Sequence, residues 1–99
     1  MIDRHRVVDA VFSALEEIDA IRNGAAPIAK SEDTLLFGEG GELESLELVS
    51  LIIATETNVA RAFDATITIA DERAMSARHS PFRSVRSLVD YVTTLLSES

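Results

Sequence analysis

The stretch Gly40-Gly41-Glu42-Leu43-Glu44-Ser45-Leu46-Glu47-Leu48-Val49 decides how this chain is read. Two glycines close a region without hydrophobic period, and apolar residues then recur at helical spacing with acidic residues between them. A helix is expected to start near Ser45 and to continue to about Phe63. Its stripe of Leu46, Val49, Ile53, Ala60 and Phe63 is expected to face one side, widened by Leu48, Leu51, Ile52 and Val59. A helix apolar over so much of its girth must be covered from more than one side.

On the N-terminal side, residues 23 to 44 hold Gly24, Pro27, Gly38, Gly40 and Gly41 and read as a loop of about twenty residues, a length that is often functional in a small domain. Ile28, Leu35, Leu36 and Phe37 are its expected anchors to the body of the protein. Before it, Val8, Val11, Leu15 and Ile18 recur every three or four residues with Phe12 beside them. This predicts an amphipathic first helix from Ile2 to about Arg22, stopped by Asn23-Gly24.

On the C-terminal side, Thr66-Ile67-Thr68-Ile69 alternates like a strand, but a strand without a partner is not stable in water, so an extended connector is expected. Asp71 can cap a short helix through about Ala77, and Ser80-Pro81 marks a turn. Ser84 is the expected N-cap of a last helix to about Leu96, buried along Val85, Leu88, Val89 and Val92, with Leu95 and Leu96 near its end. The expected fold is all-α: a small four-helix bundle of three long helices plus one short third helix, with a long loop between helices 1 and 2, in a single domain over residues 1–99.

Composition narrows the function classes. The 99 residues are 46 % hydrophobic, and 17 acidic against 9 basic residues leave a net charge of −8. That sign argues against nucleic acid, whose phosphates require clustered Lys and Arg, and favours partners with basic surfaces. Cysteine is absent, which removes disulfides, thiolate nucleophiles and cysteine metal sites. The N-terminus has no apolar run of the secretory kind, and the longest apolar run, Leu51 to Ala54, is far short of the ~20 residues that span a bilayer. A cytoplasmic monomer without a membrane span is expected.

The residues around Ser45 carry the chemistry. A glycine-rich loop delivers this serine to the first turn of an apolar helix, where unpaired N–H groups and the helix dipole would stabilise a phosphodiester on its hydroxyl. A serine there can equally act as a plain N-cap. Glu44 and Glu47 would repel such a phosphate, so they make better sense as docking charges for enzymes carrying Arg, Lys or Mg²⁺. An enzyme is not expected, and neither a catalytic residue nor a metal site is assigned. Ser45 lacks the Gly-x-Ser-x-Gly elbow, His79 is the one remote candidate base, and His5 and His79 read as surface residues.

Leu43-Glu44-Ser45-Leu46-Glu47-Leu48-Val49 resembles the attachment motif of the acyl carrier protein family, Asp-Ser-Leu followed by an acidic-apolar helix. Thr68-Ile69-Ala70-Asp71-Glu72 looks like that family's entry to its short third helix, and Ser84-Val85-Arg86-Ser87-Leu88-Val89-Asp90-Tyr91-Val92 like the start of its last. The resemblance implies that Ser45 covalently receives 4′-phosphopantetheine from coenzyme A through a phosphopantetheinyl transferase. It also implies that the arm's thiol carries an acyl thioester, that Leu46 joins Glu44 and Glu47 in docking acyl-transferring or synthase enzymes with basic surfaces, and that Leu48, Ile52 and Ile53 line an acyl pocket.

The departures are Glu44 in place of the aspartate, a second helix about one turn longer, and an uneven charge distribution. Glu32, Asp33, Glu39, Glu42, Glu44 and Glu47 precede Arg73, Arg78, Arg83 and Arg86, which suggests a dedicated partner set in a specialised lipid or secondary-metabolite pathway. Two other readings share the architecture: an unmodified carrier-like interaction module, and a peptidyl carrier protein.

Overall fold

The computed structural model describes residues 2–21, 28–38, 40–69 and 81–98. Three helices are formed among them: α1 (Arg4–Ile21), α2 (Ser45–Phe63) and α3 (Val85–Glu98). No strand occurs among the described residues, so the all-helical class holds. The short helix expected over 71–77, the Asn23-Gly24 stop, Ser80 and the residues Arg73, Arg78 and His79 lie outside them.

Each helix begins where a side chain can satisfy its first N–H groups. For α1 this is Asp3, whose Oδ1 accepts the His5 N–H at 3.0 Å. At α3 the expected cap, Ser84, accepts the Ser87 N–H at 3.2 Å, while Ser87 Oγ accepts the Ser84 N–H at 3.0 Å and donates to the Pro81 carbonyl at 2.9 Å. The reciprocal pair makes a capping box with serine at both positions. The α2 helix ends on Asp64, which takes the left-handed conformation (φ 51°) that a C-cap requires.

The periodicity of α1 places Val7, Val8, Val11, Ala14, Leu15 and Ile18 in the core. α2 and α3 each pack on this helix, and the backbones of α2 and α3 do not pack directly on each other. α1 and α2 run antiparallel. Near one end Arg6 donates to the Ala62 carbonyl, its guanidinium 4.5 Å from the centre of the Phe63 ring, and midway Asn58 Nδ2 donates to the Ala10 carbonyl at 3.1 Å and to Glu17 at 3.2 Å. Arg4 ties the start of α1 to Asp90 of α3 at 2.8 Å and to Glu32 of the loop at 2.6 Å. Those hydrogen bonds, to Asp90 first and Glu32 second, hold its pKa above the ordinary arginine value.

The loop before α2 is anchored in two ways. Ile28 and Leu36 are buried and Phe37 half-buried, as expected, but Leu35 is exposed. The larger anchor is backbone pairing with the entry to α3, which the residue pattern did not reveal. Leu36 N–H donates to the Arg83 carbonyl at 2.7 Å, Phe37 N–H to Phe82 at 3.1 Å, Val85 N–H to Thr34 at 3.0 Å and Arg86 N–H to Glu32 at 2.9 Å, with an antiparallel bridge between Leu35 and Ser84.

A helix carboxylate anchors each of the two connections. Asp19 of α1 accepts the Ile28 N–H at 2.9 Å and pairs with Lys30. Glu56 of α2 accepts the Ile69 N–H at 2.7 Å. Residues 66–69 form the expected connector, Ile67 and Ile69 buried and Thr66 and Thr68 exposed. The alternation reflects one face against the core and not pairing into a sheet. Burying Ile28 and Ile69 takes their amides from water, and the carboxylates replace that lost hydration.

Glu56→Ala leaves the Ile69 amide without its acceptor and should lower stability by about 1–3 kcal/mol in urea unfolding. Faster hydrogen exchange at the Ile69 amide should accompany it, and Glu56→Gln, which keeps a carbonyl acceptor, should lose less.

Candidate functional site

Ser45 is placed by the turn that precedes it. Gly41 N–H donates to the Gly38 carbonyl at 2.9 Å, Glu42 N–H to Leu35 at 3.1 Å and Leu43 N–H to Leu36 at 2.8 Å. Gly38 and Gly40 adopt positive φ, +105° and +79°. At Gly41 the constraint is space: a Cβ there would lie 2.6 Å from the Leu36 carbonyl oxygen and 2.9 Å from the Phe37 Cα, and neither backbone atom can step aside. The glycines of this turn therefore set where α2 begins.

The first residue of α2 is Ser45, and the cap is Glu44. The Glu44 N–H donates to Glu47 Oε1 at 2.9 Å, the carboxylate of the third helical residue reaching back to the cap as in a capping box. Ser45 is therefore not the cap, and its exposed position is free of that duty. Glu47, read from the sequence as a docking charge, also closes the helix entry.

The α2 helix presents two apolar faces. Leu51, Ile52 and Val59 are buried with Thr55, and Leu48 is half-buried against them. Leu46, Val49 and Ile53 are 82 %, 52 % and 59 % exposed. Of the stripe expected to face one side, Leu46, Val49 and Ile53 thus point outward while Ala60 and Phe63 are half-buried, Phe63 against the core, and the residues expected to widen the stripe form the inner face. Of the three expected pocket residues, Leu48 and Ile52 belong to the inner face. Ile53 is one position, about 100°, further round the helix and faces out.

The outer stripe starts next to Ser45 and leads into a groove of about 380 Å³ between α2 and the end of α1, where Ile53 meets Ile18 and Ile21 alongside Ala54, Ser50, Thr57 and Glu17. Ile21 is 67 % exposed. Glu44 and Glu47 flank the start of this apolar stripe, Glu44 exposed and Glu47 half-buried. Arg83 and Arg86 are exposed at the entry to α3, where Arg86 pairs with Asp33 at 3.0 Å.

The sequence contained the outer stripe but not its direction. Leu46, Val49, Ile53 and Ala60 on one side and Leu48, Leu51, Ile52, Thr55 and Val59 on the other both have helical spacing. A helix with two such stripes buries one and leaves the other for a partner, and only packing selects between them.

Among the described residues, no helix is long and apolar enough to cross a membrane. Comparison with protein-family models, with curated proteins and with solved structures finds no match to this chain.

Glu47→Ala should lower stability by about 0.5–1.5 kcal/mol by removing the acceptor for the Glu44 N–H, as read from thermal or urea unfolding. Glu47→Gln keeps an oxygen there and should stay within about 0.5 kcal/mol of the parent.

Proposed function

We propose that this chain is an acyl carrier protein in which Ser45 bears 4′-phosphopantetheine. The observation that carries the reading is an exposed serine, released from capping by Glu44, at the first position of a helix whose outer face is an exposed apolar stripe. An enzyme that modifies the serine needs access to the hydroxyl and a surface to grip beside it. Leu46, Val49 and Ile53 offer apolar grip, and Glu44 and Glu47 offer the sign that a basic partner seeks.

The residues present fit the group. Ser45 is exposed at the N-terminus of α2, where the helix dipole favours an anion and offsets part of the repulsion from Glu44 and Glu47. In the transfer, the Ser45 oxygen forms a bond to the phosphorus that carries pantetheine, the pyrophosphate P–O bond of coenzyme A breaks, and 3′,5′-ADP leaves. The hydroxyl proton passes to a base of the transferase. Once attached, the arm supplies the thiol that holds an acyl group as a thioester, which suits a chain without cysteine.

The roles divide by face. On the inner side, Leu48 and Ile52 with Leu51 and Val59 provide hydrocarbon for sheltering cargo, at about 0.8 kcal/mol per buried methylene. On the outer side, Ile53 belongs with Leu46 and Val49 as a docking residue. The partners are a phosphopantetheinyl transferase and acyl-transferring or synthase enzymes with basic docking surfaces, and the protein works as a cytoplasmic monomer in a specialised lipid or secondary-metabolite pathway.

Incubation with coenzyme A, Mg²⁺ and a promiscuous phosphopantetheinyl transferase should add the mass of one arm to the protein and none to Ser45→Ala. A wild-type chain that gains no mass rejects the carrier reading and leaves an interaction module working through the same outer stripe.

Because Glu47→Gln removes the charge and keeps the cap acceptor, it should slow the modification by about two-fold or more at low ionic strength. The difference should shrink as salt is added, since exposed charges are screened. Rates that match the parent at low salt reject the steering role.

A further inference from the structure

The inner face of α2 is apolar except at its centre. Thr55 lies one turn after Leu51 and one turn before Val59, is 0 % exposed, and its Oγ1 has no hydrogen-bond partner among the described residues. Helical threonines commonly satisfy their hydroxyl on the carbonyl one turn back. Other threonines of this chain do so: Thr57 donates to Ile53 at 3.0 Å, Thr93 to Val89 at 2.7 Å and Thr94 to Asp90 at 3.0 Å. Thr55 departs from them while sitting where a hydroxyl out of water most needs a partner. Valine has nearly the same shape and would fill the position without that penalty.

Position suggests a use for the hydroxyl. Thr55 is ten residues beyond Ser45 on the same helix, about 15 Å along its axis. Its side chain is buried with Leu51, Ile52 and Val59 on the face of α2 that packs into the core. Hydrocarbon entering there would meet Leu48, Leu51, Ile52 and Val59 and pass the Thr55 hydroxyl. A buried polar group that finds its partner only on the ligand discriminates strongly against analogues that lack it.

We propose that Thr55 reads the cargo: its Oγ1 hydrogen-bonds a keto or hydroxyl oxygen on the acyl chain, so that the interior favours an oxygenated chain over a saturated one. The inference rests on the carrier reading of Ser45. Thr55 is a specificity-determining residue of the shelter and takes no part in forming or breaking bonds.

The test uses the full chain and Thr55→Val, each loaded at Ser45 from the coenzyme A thioesters of octanoate, 3-oxo-octanoate and 5-oxo-octanoate, with loading verified by mass and stability read as melting temperature. Unloaded Thr55→Val should melt about 4–8 °C above the parent, because a methyl group replaces an unpaired hydroxyl. In the parent, at least one keto chain should raise the melting temperature several degrees above the octanoyl form, and in Thr55→Val that advantage should vanish or reverse.

Equal melting of all loaded parent forms overturns the proposal, as does a keto advantage that survives Thr55→Val. A lower melting temperature for unloaded Thr55→Val overturns its premise, since the hydroxyl would then already be satisfied. Loading that fails at Ser45 in the parent overturns the carrier reading and this inference with it, whereas successful loading without the keto advantage removes this inference alone.

Discussion

The peptide groups at Leu36 join the two halves of this protein. Its N–H is given to the Arg83 carbonyl at 2.7 Å and its carbonyl accepts the Leu43 N–H at 2.8 Å, while its side chain is buried. The first bond fixes the loop to the entry of α3. The second folds the chain back so that α2 can begin two residues later. A backbone amide buried without a partner is costly, so the segment has little freedom to place these groups elsewhere. The position of Ser45 follows from this crossing and from Gly41, which lets the turn pass against the Leu36 carbonyl.

Around that crossing, α1 acts as the support on which α2 and α3 rest separately. Helices held by a common neighbour but not by each other leave their facing sides to be filled by side chains and connectors. Two carboxylates keep those connectors in place, Asp19 on the Ile28 amide and Glu56 on the Ile69 amide. In both cases an isoleucine buries apolar area at the expense of its amide's hydration, and an acidic side chain on a helix offsets the loss. Some of the chain's surplus of acidic residues is therefore structural, and only part of it is open to partners.

The same division appears around Ser45. Glu47 closes the first turn of α2 through the Glu44 amide and still contributes its charge to the surface. Since Glu44 and Glu47 satisfy the helix entry, Ser45 is left as an exposed hydroxyl at the positive end of a helix, beside an apolar stripe that the fold does not cover. An exposed serine that does not cap its helix, beside an uncovered apolar stripe, is the arrangement on which the proposed carrier role rests. Thr55 adds a polar point to the opposite, inner face of α2, whose other buried residues are apolar.

Local chemistry was legible in the sequence by itself. The spacing of Val8, Val11, Leu15 and Ile18, the start of α2 at Ser45 and its end at Phe63, and the Ser84 cap each depend on residues within a turn or two of one another, and backbone sterics with helix periodicity settle such features before any packing occurs. What depends on contacts between distant segments was decided only by the tertiary structure. It chose which stripe of α2 is buried, turned Ile53 outward, used backbone pairing with residues 82–86 to hold the loop, and enclosed the Thr55 hydroxyl. Both stripes of α2 have the same period and similar apolarity, so no local rule separates them; the choice belongs to whichever face finds α1 and the connectors to cover it.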